Sequence, residues 1–301
     1  MSLERFIFEV FEPAVSSVEG AIYQAPHLSA WCALWEKNRF FAVVAARGFL
    51  KSIFAKAILA YALMTHRSGA FDAFFFSAKR ELAQEHMRRL KLYLAPLAEQ
   101  WGWRDDTEGE AILRYVKPGC YWSCRPEGVD SASRGRRANL LVCDDVLDAR
   151  KPSTYVDIQR VLSSVQRRIV PIMKDKDARI FIAGTPIIED DVIGWVQQNP
   201  AFKTARLPAL LRPDGSEFPP GTPLDEVFSQ GVPTWPERYP LSELSAMRKL
   251  LGDKFFGAEY MLWPIGPSDS FIPAYVLERA LGNVVVEGDG LVFDEDLCKE
   301  G

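Results

Sequence analysis

Four short apolar runs, separated by stretches with helical spacing, constrain the fold of this chain more than any other feature. They are Phe40–Ala46 (FFAVVAA), Phe71–Phe76 (FDAFFF), Ala138–Cys143 (ANLLVC) and Ala178–Ala183 (ARIFIA). A strand with one wet face alternates apolar and polar residues. These runs barely alternate, so they read as central strands covered on both faces. Between them, Ser52–Met64 places Ile53, Ala57, Ile58 and Tyr61 on one helical face, and Arg80–Leu94 does the same with Leu82, Met87, Leu90 and Leu94. Strands alternating with helices of this length imply an α/β protein with a mostly parallel sheet flanked by helices.

The remaining segments are less regular. Ile112–Cys124 alternates and is interrupted by Lys117-Pro118-Gly119, the pattern of a hairpin set in before the third run. Prolines and glycines crowd Pro208–Pro240, and one amphipathic helical region, Leu241–Leu262, follows. The expected division is a core over residues 1–206, a small lid over 207–266, and a linker over 267–301 with little core-forming content. The chain has 301 residues and a formal charge of −4, so a nucleic-acid partner would have to be met by local basic patches. Five cysteines, one of them (Cys143) inside an apolar run, read as reduced thiols of a cytosolic protein. Cys120 and Cys124 lack a second ligand pair with zinc spacing. No run approaches the roughly 18 apolar residues that span a membrane, and the N-terminus MSLERFIFEVFE is not a secretory signal.

Chemistry enters at the end of the first run. Ala45-Ala46-Arg47-Gly48-Phe49-Leu50-Lys51-Ser52 joins a buried strand to a helix, the setting of a phosphate-binding loop. There, backbone N–H groups and the helix dipole favour phosphate oxygens. Lys51 is placed to reach the β- and γ-phosphates of ATP and Ser52 to ligate Mg²⁺. The usual pattern G-x-x-x-x-G-K-S/T has glycine where this chain has Ala45 and Leu50; Gly48 keeps one flexible position. Leu140–Asp145 supplies the second element, an apolar strand ending in two carboxylates. Asp144 is the expected metal-shell ligand and Asp145 the group that polarises the attacking water, where glutamate is usual. Phe71–Phe76 lies between the loop and the acidic strand in sequence, which points to the RecA-like P-loop ATPases with an additional strand. Thr185, after the fourth run, is the candidate sensor. Arg134, Arg136 and Arg137 precede the acidic strand and Arg47 lies in the loop; each is a solvated side chain or an arginine aimed at the γ-phosphate.

In this order the motifs resemble the large terminase subunit of tailed bacteriophages, the motor that pumps DNA into capsids. Arg47-Gly48-Phe-Leu-Lys51-Ser52 is similar to that family's Walker A variant, and Phe75-Phe-Ser77-Ala-Lys to its second strand. Ser133-Arg-Gly-Arg-Arg leading to Leu140–Asp145 is similar to its arginine loop and Walker B. Ile182-Ala-Gly-Thr-Pro186 with Glu189-Asp-Asp-Val resembles its coupling motif. Trp235-Pro-Glu-Arg and Phe255-Phe-Gly-Ala-Glu259-Tyr260-Met resemble the segment closing its ATPase region.

The resemblance covers about residues 30–275. It implies an ATP–Mg²⁺ enzyme with Asp145 as base, Thr185 in coupling and Arg134 as a finger acting in trans, ranked above Arg47. Trp31–Trp35 would sit near adenine, although a core helix is the stronger reading. It also implies double-stranded DNA, a portal protein, a small terminase subunit and a pentameric ring on the procapsid as partners, in the host cytoplasm. The family's C-terminal nuclease is not expected here, because Asp289, Asp294, Glu295 and Asp296 form no recognisable metal cluster. A helicase or remodelling ATPase is the alternative, and a binding module with a decayed phosphate loop is a third.

Overall fold

The computed structural model describes residues 1–19, 25–107, 112–131, 135–147, 155–264, 284–287 and 290–293. Two N-terminal helices, α1 (Leu3–Phe6) and α2 (Glu12–Glu19), are joined by one π-helical turn, and α3 (His27–Lys37) follows. The N-terminal stretch carries no sequence forecast of a helix, yet it sends Leu3, Phe6, Phe11 and Val15 into the core with essentially no exposure. Strand β1 (Phe40–Ala45) leads through the loop to α4 (Lys51–Thr65). Then come β2 (Gly69–Ser77), α5 (Arg80–Ala98), β3 (Arg104–Asp105), β4 (Leu113–Lys117), β5 (Cys120–Gly128) and β6 (Leu140–Asp144). Helix α6 (Tyr155–Ser164), β7 (Arg179–Gly184), α7 (Val192–Gln198) and β8 (Lys203–Leu207) complete the sheet region.

The sheet has eight strands in the order β3-β4-β5-β2-β6-β7-β1-β8. Pairings from β5 through β8 are parallel; β3 and β4 are antiparallel at one edge. The four apolar runs therefore become β1, β2, β6 and β7, four neighbouring or near-neighbouring central strands, as the lack of alternation requires. Each strand feeds both faces. Phe41, Val43 and Ala45 of β1 join one core with α3, α4 and α5. Ala42 and Val44 join a second core with α6 and α7. The hairpin reading of Ile112–Cys124 also holds, with its turn at Pro118-Gly119 and its second strand lengthened to Gly128.

One expectation shifts. The strand separating β1 from β6 in the sheet is β7, which comes after the acidic strand in sequence; β2 lies on the far side of β6. Sequence order is not sheet order where crossovers are helical, so the additional strand is Arg179–Gly184 and not Phe71–Phe76.

Beyond β8, a two-residue β9 (Leu210–Leu211) pairs with β10 (Val232–Pro233), enclosing α8 (Leu224–Gln230). The amphipathic region splits into α9 (Leu241–Leu251) and α10 (Asp253–Tyr260), because Gly252 takes φ 77° and breaks the helix. A short antiparallel pair, β11 (Val284–Glu287) and β12 (Gly290–Phe293), closes the description. Among the described residues no helix is long and apolar enough to cross a membrane.

Candidate active site

The carboxyl ends of β1, β2, β6 and β7 open onto one cavity of about 450 Å³. In open parallel sheets this is where ligands bind, since the loops leaving neighbouring strands diverge there. Arg47, Gly48, Phe49, Leu50, Lys51 and Ser52 form one wall, Asp145 and Thr185 another, and Ser77, His86 and Glu259 complete the polar lining.

The loop is held by its surroundings. Ala46 N–H donates to Leu207 O at 3.0 Å, and Arg47 N–H donates to Glu259 O at 3.0 Å. The Arg47 guanidinium stands 3.6 Å from the Glu259 carboxylate. Phe49 is fully buried, stacked on Tyr239 at 5.2 Å with rings 2° from parallel and packed edge-on against Trp235. His27 donates from Nε2 to Phe49 O at 3.2 Å and lies between Trp31 and Trp235. Burial drops the His27 pKa to about 4, which keeps the ring neutral at pH 7.

Lys51 opens α4 and is buried; its Nζ donates to Ala45 O at 2.6 Å and Ala46 O at 3.2 Å. Burial pulls its pKa below the usual lysine value, opposed by Asp145, Asp144 and Glu259. Asp144 ends β6 with no exposure, and neither carboxylate oxygen has a partner in hydrogen-bond geometry. Burial raises its pKa, opposed first by the Ser52 hydroxyl and then by the ammonium groups of Lys56 and Lys51. Asp145 begins the next loop with φ 44°, its N–H donating to Ala183 O and its carbonyl accepting from Ala78 N–H. Protein crowds Asp145 and raises its pKa, with Lys51 the main opposing charge. Its side chain nonetheless opens to the cavity, and access to water tempers that shift.

A buried anion with two unsatisfied oxygens beside a hydroxyl, and a buried ammonium held only by carbonyls, form a donor set that fits a phosphate–Mg²⁺ unit. Magnesium typically takes one or two carboxylates plus phosphate oxygens and water. No cluster of three or more His, Cys, Asp or Glu side chains able to hold a metal occurs among the described residues.

No protein-family model matches the chain, and no curated protein does. Solved structures do. The ATPase domain of the Thermus phage P74-26 large terminase superposes with a TM-score of 0.57 at 14% identity, over 83% of this chain and 97% of that one. The chain has the fold of a large terminase ATPase domain. The HK97 bacteriophage large terminase gives a TM-score of 0.59 at 12% identity, over 93% of this chain but 59% of that one. This chain thus spans a little over half of that longer protein.

On this terminase-type fold, the residues expected from sequence fall in different places. Arg47, Gly48, Phe49, Leu50, Lys51, Ser52, Asp145 and Thr185 line the cavity. Ala46 and Asp144 are fully buried behind its wall. Arg134 lies outside the described residues. Arg136 pairs with Glu127 at 3.3 Å, and Arg137 donates to Pro171 O at 2.7 Å. Trp31 and Trp35 are buried on α3, the core-helix reading. The four described cysteines are free and buried; Cys298 lies outside the described residues. Sequence reasoning missed His86 and Glu259 as parts of the site and Tyr239 as the ring that packs on its loop. Glu259 sits within a segment singled out for its likeness to the closing motif, and that was its only signal.

Proposed function

We propose that this chain is the ATP-hydrolysing motor region of a phage DNA-packaging terminase. One observation carries the reading: Lys51, Ser52 and Asp145, far apart in sequence, meet on a single cavity at the carboxyl ends of β1 and β6, with Asp144 buried directly behind its wall. Lys51 and the N–H groups opening α4 hold the phosphates, and Ser52 with Asp144 holds the metal. When bound, Mg²⁺ neutralises charge on the phosphate oxygens. Asp145, at the cavity wall and raised in pKa, takes up the proton of the attacking water. Thr185 stands at the end of β7 on the same cavity, placed to sense the γ-phosphate. Arg47, tied to Glu259, acts within the subunit, and Arg134 is assigned to a neighbour's site.

Coupling of hydrolysis to movement of double-stranded DNA, in a pentameric ring with portal and small terminase subunits, follows from the likeness to terminases and is part of the same proposal. The deciding experiment is ATP turnover by the purified chain. Lys51→Ala should reduce it by about a hundredfold or more, and Asp145→Asn by about 10²-fold or more with nucleotide binding retained. Unchanged turnover in Lys51→Ala overturns the assignment. For Arg134, mixing Arg134→Ala and Lys51→Ala chains should restore part of the activity; no recovery returns the role to Arg47.

A further inference from the structure

Buried Lys56 and half-buried His86, the latter at the cavity wall, form with Asp144 a set of polar groups that phosphate binding does not require. Lys56, one turn past Ser52 on α4, is 3% exposed amid Phe54, Ala55, Ala57 and Ile58. An ammonium buried this deeply is costly unless it is partnered. Its Nζ lies 3.2 Å from His86 Nδ1. His86 comes from the second turn of α5, its ring against Phe75 at 5.1 Å. The other ring nitrogen, Nε2, stands 3.8 Å from Asp144 Oδ2. Lys56, His86 and Asp144 thus form a line from α4 through α5 to the end of β6.

The polarity of that line is fixed by chemistry. An ammonium has donors only, so His86 Nδ1 must accept and the neutral ring must carry its proton on Nε2. Burial lowers the Lys56 pKa to about 8, which still leaves an ammonium at pH 7, and Asp144 is the largest of the charges opposing that shift. The Nε2–H so defined stands 3.8 Å from a carboxylate whose two oxygens have no partner in hydrogen-bond geometry and whose other polar neighbour is the Ser52 hydroxyl. Donors behind a ligating carboxylate fix its orientation and tune its affinity.

We propose that His86 is a positioning residue for Asp144, orienting its carboxylate toward the metal side of the site, and that Lys56 selects the ring tautomer that does so. The inference rests on the nucleotide reading above. The 3.8 Å separation is longer than a hydrogen bond, and forming one calls for closure of about 1 Å. Glutamine at position 86 keeps an N–H donor, leucine does not, and methionine at 56 fills the lysine stem's space without the charge.

The test uses the full chain and two readouts. ADP affinity is measured calorimetrically with Mg²⁺ and with EDTA, and the Mg²⁺ concentration for half-maximal ATP turnover is recorded. His86→Leu should raise that concentration about tenfold while leaving ADP affinity in EDTA within about twofold; His86→Gln should restore most of the loss. Nitrogen-15 spectra of nucleotide-free protein should show His86 as the Nε2–H tautomer, and Lys56→Met should shift it toward Nδ1–H. An unchanged Mg²⁺ requirement in His86→Leu overturns the positioning role even if the tautomer is as expected. An equal loss of affinity with and without Mg²⁺ also overturns it, by showing a general packing defect. A wild-type chain that binds no ADP under either condition overturns the nucleotide reading itself, and this proposal with it.

Discussion

Leu50 stands where the phosphate-loop pattern has its second glycine, and its backbone adopts φ 62°. A side chain in that left-handed region costs about 1–2 kcal/mol. The cost is offset by packing: Leu50 is half-buried against the core that holds Phe49, Trp31 and Trp235, with Tyr239 packed on the same core. The first glycine position needs no glycine at all, because Ala45 ends β1 in register with Leu207. The glycine that the loop does require is Gly48, with φ 82°, where an added Cβ would overlap the Tyr239 hydroxyl and sit 3.0 Å from its Cζ. Gly48→Ala should therefore weaken nucleotide binding and lower stability, with about 1 kcal/mol from the backbone alone. The loss should shrink in a Tyr239→Phe background, measured as a double-mutant cycle by urea denaturation; equal losses in both backgrounds would show that Tyr239 is not the obstacle. His27 gives a pH signature at the same loop. Its folded pKa of about 4 lies below the unfolded value near 6.5, so the unfolded chain takes up the proton first. Stability falls as pH drops through that window, by up to about 3 kcal/mol, and is unaffected above it. Urea denaturation of wild type and His27→Phe should show their difference narrowing from pH 7.5 to pH 4.5; a constant difference would place the titration elsewhere.

The segment between β7 and α7 shows how one side chain organises an element. Asp191 is fully buried and caps α7, accepting Ile193 and Gly194 N–H at 2.7 and 2.8 Å on one oxygen and Ile187 and Ile188 N–H at 2.6 and 3.2 Å on the other. The loop after Thr185 is thus wound around one carboxylate. Asp191→Ala strands four donors, two of them buried, and should cost about 3 kcal/mol or more; Asp191→Asn should cost less, since its single carbonyl still accepts. Equal stability of the alanine variant and wild type in urea would remove Asp191 from this role. The Asp-rich sequence there was legible as part of a motif, but not as a cap. The same limit applies across the chain. Strands β1, β2, β6 and β7 could be read directly because unbroken apolar runs admit few folds, and Lys51, Ser52, Asp144, Asp145 and Thr185 followed from standing at their ends. Helices α1 and α2 and the break at Gly252 could not, because short helices rest on packing more than on pattern. Glu259 and His86 reach the cavity, and Tyr239 the loop beside it, only through tertiary contacts, and no spacing in sequence joins residue 239 or 259 to a loop at 47–49.

At the scale of the molecule, the segment after β8 does not pack as a separate body. Leu210, Phe218, Trp235, Phe256 and Tyr260 belong to the same core as Phe41, Phe54 and Phe75. Backbone bonds cross the predicted boundary at two points, Ala46 N–H to Leu207 O and Arg47 N–H to Glu259 O, both at 3.0 Å. The loop at Ala45–Ser52 is therefore a seam between the sheet and the following segment. Removing that segment exposes Phe49 and the aromatic cage around it. Losing one buried Trp or Phe contact of this size costs about 3–5 kcal/mol, against a typical total stability of 5–15 kcal/mol. A chain ended after Pro208 should consequently lose its cooperative thermal transition and bind a dye that reports exposed apolar surface. The longer chain should unfold with fluorescence and far-ultraviolet dichroism tracking each other, because the sheet and the segment after it share the core that both signals report. A truncated chain that melts cooperatively within a few degrees of the full one would show that the core folds without its lid, and that the contacts at Arg47 and Tyr239 serve the nucleotide site alone.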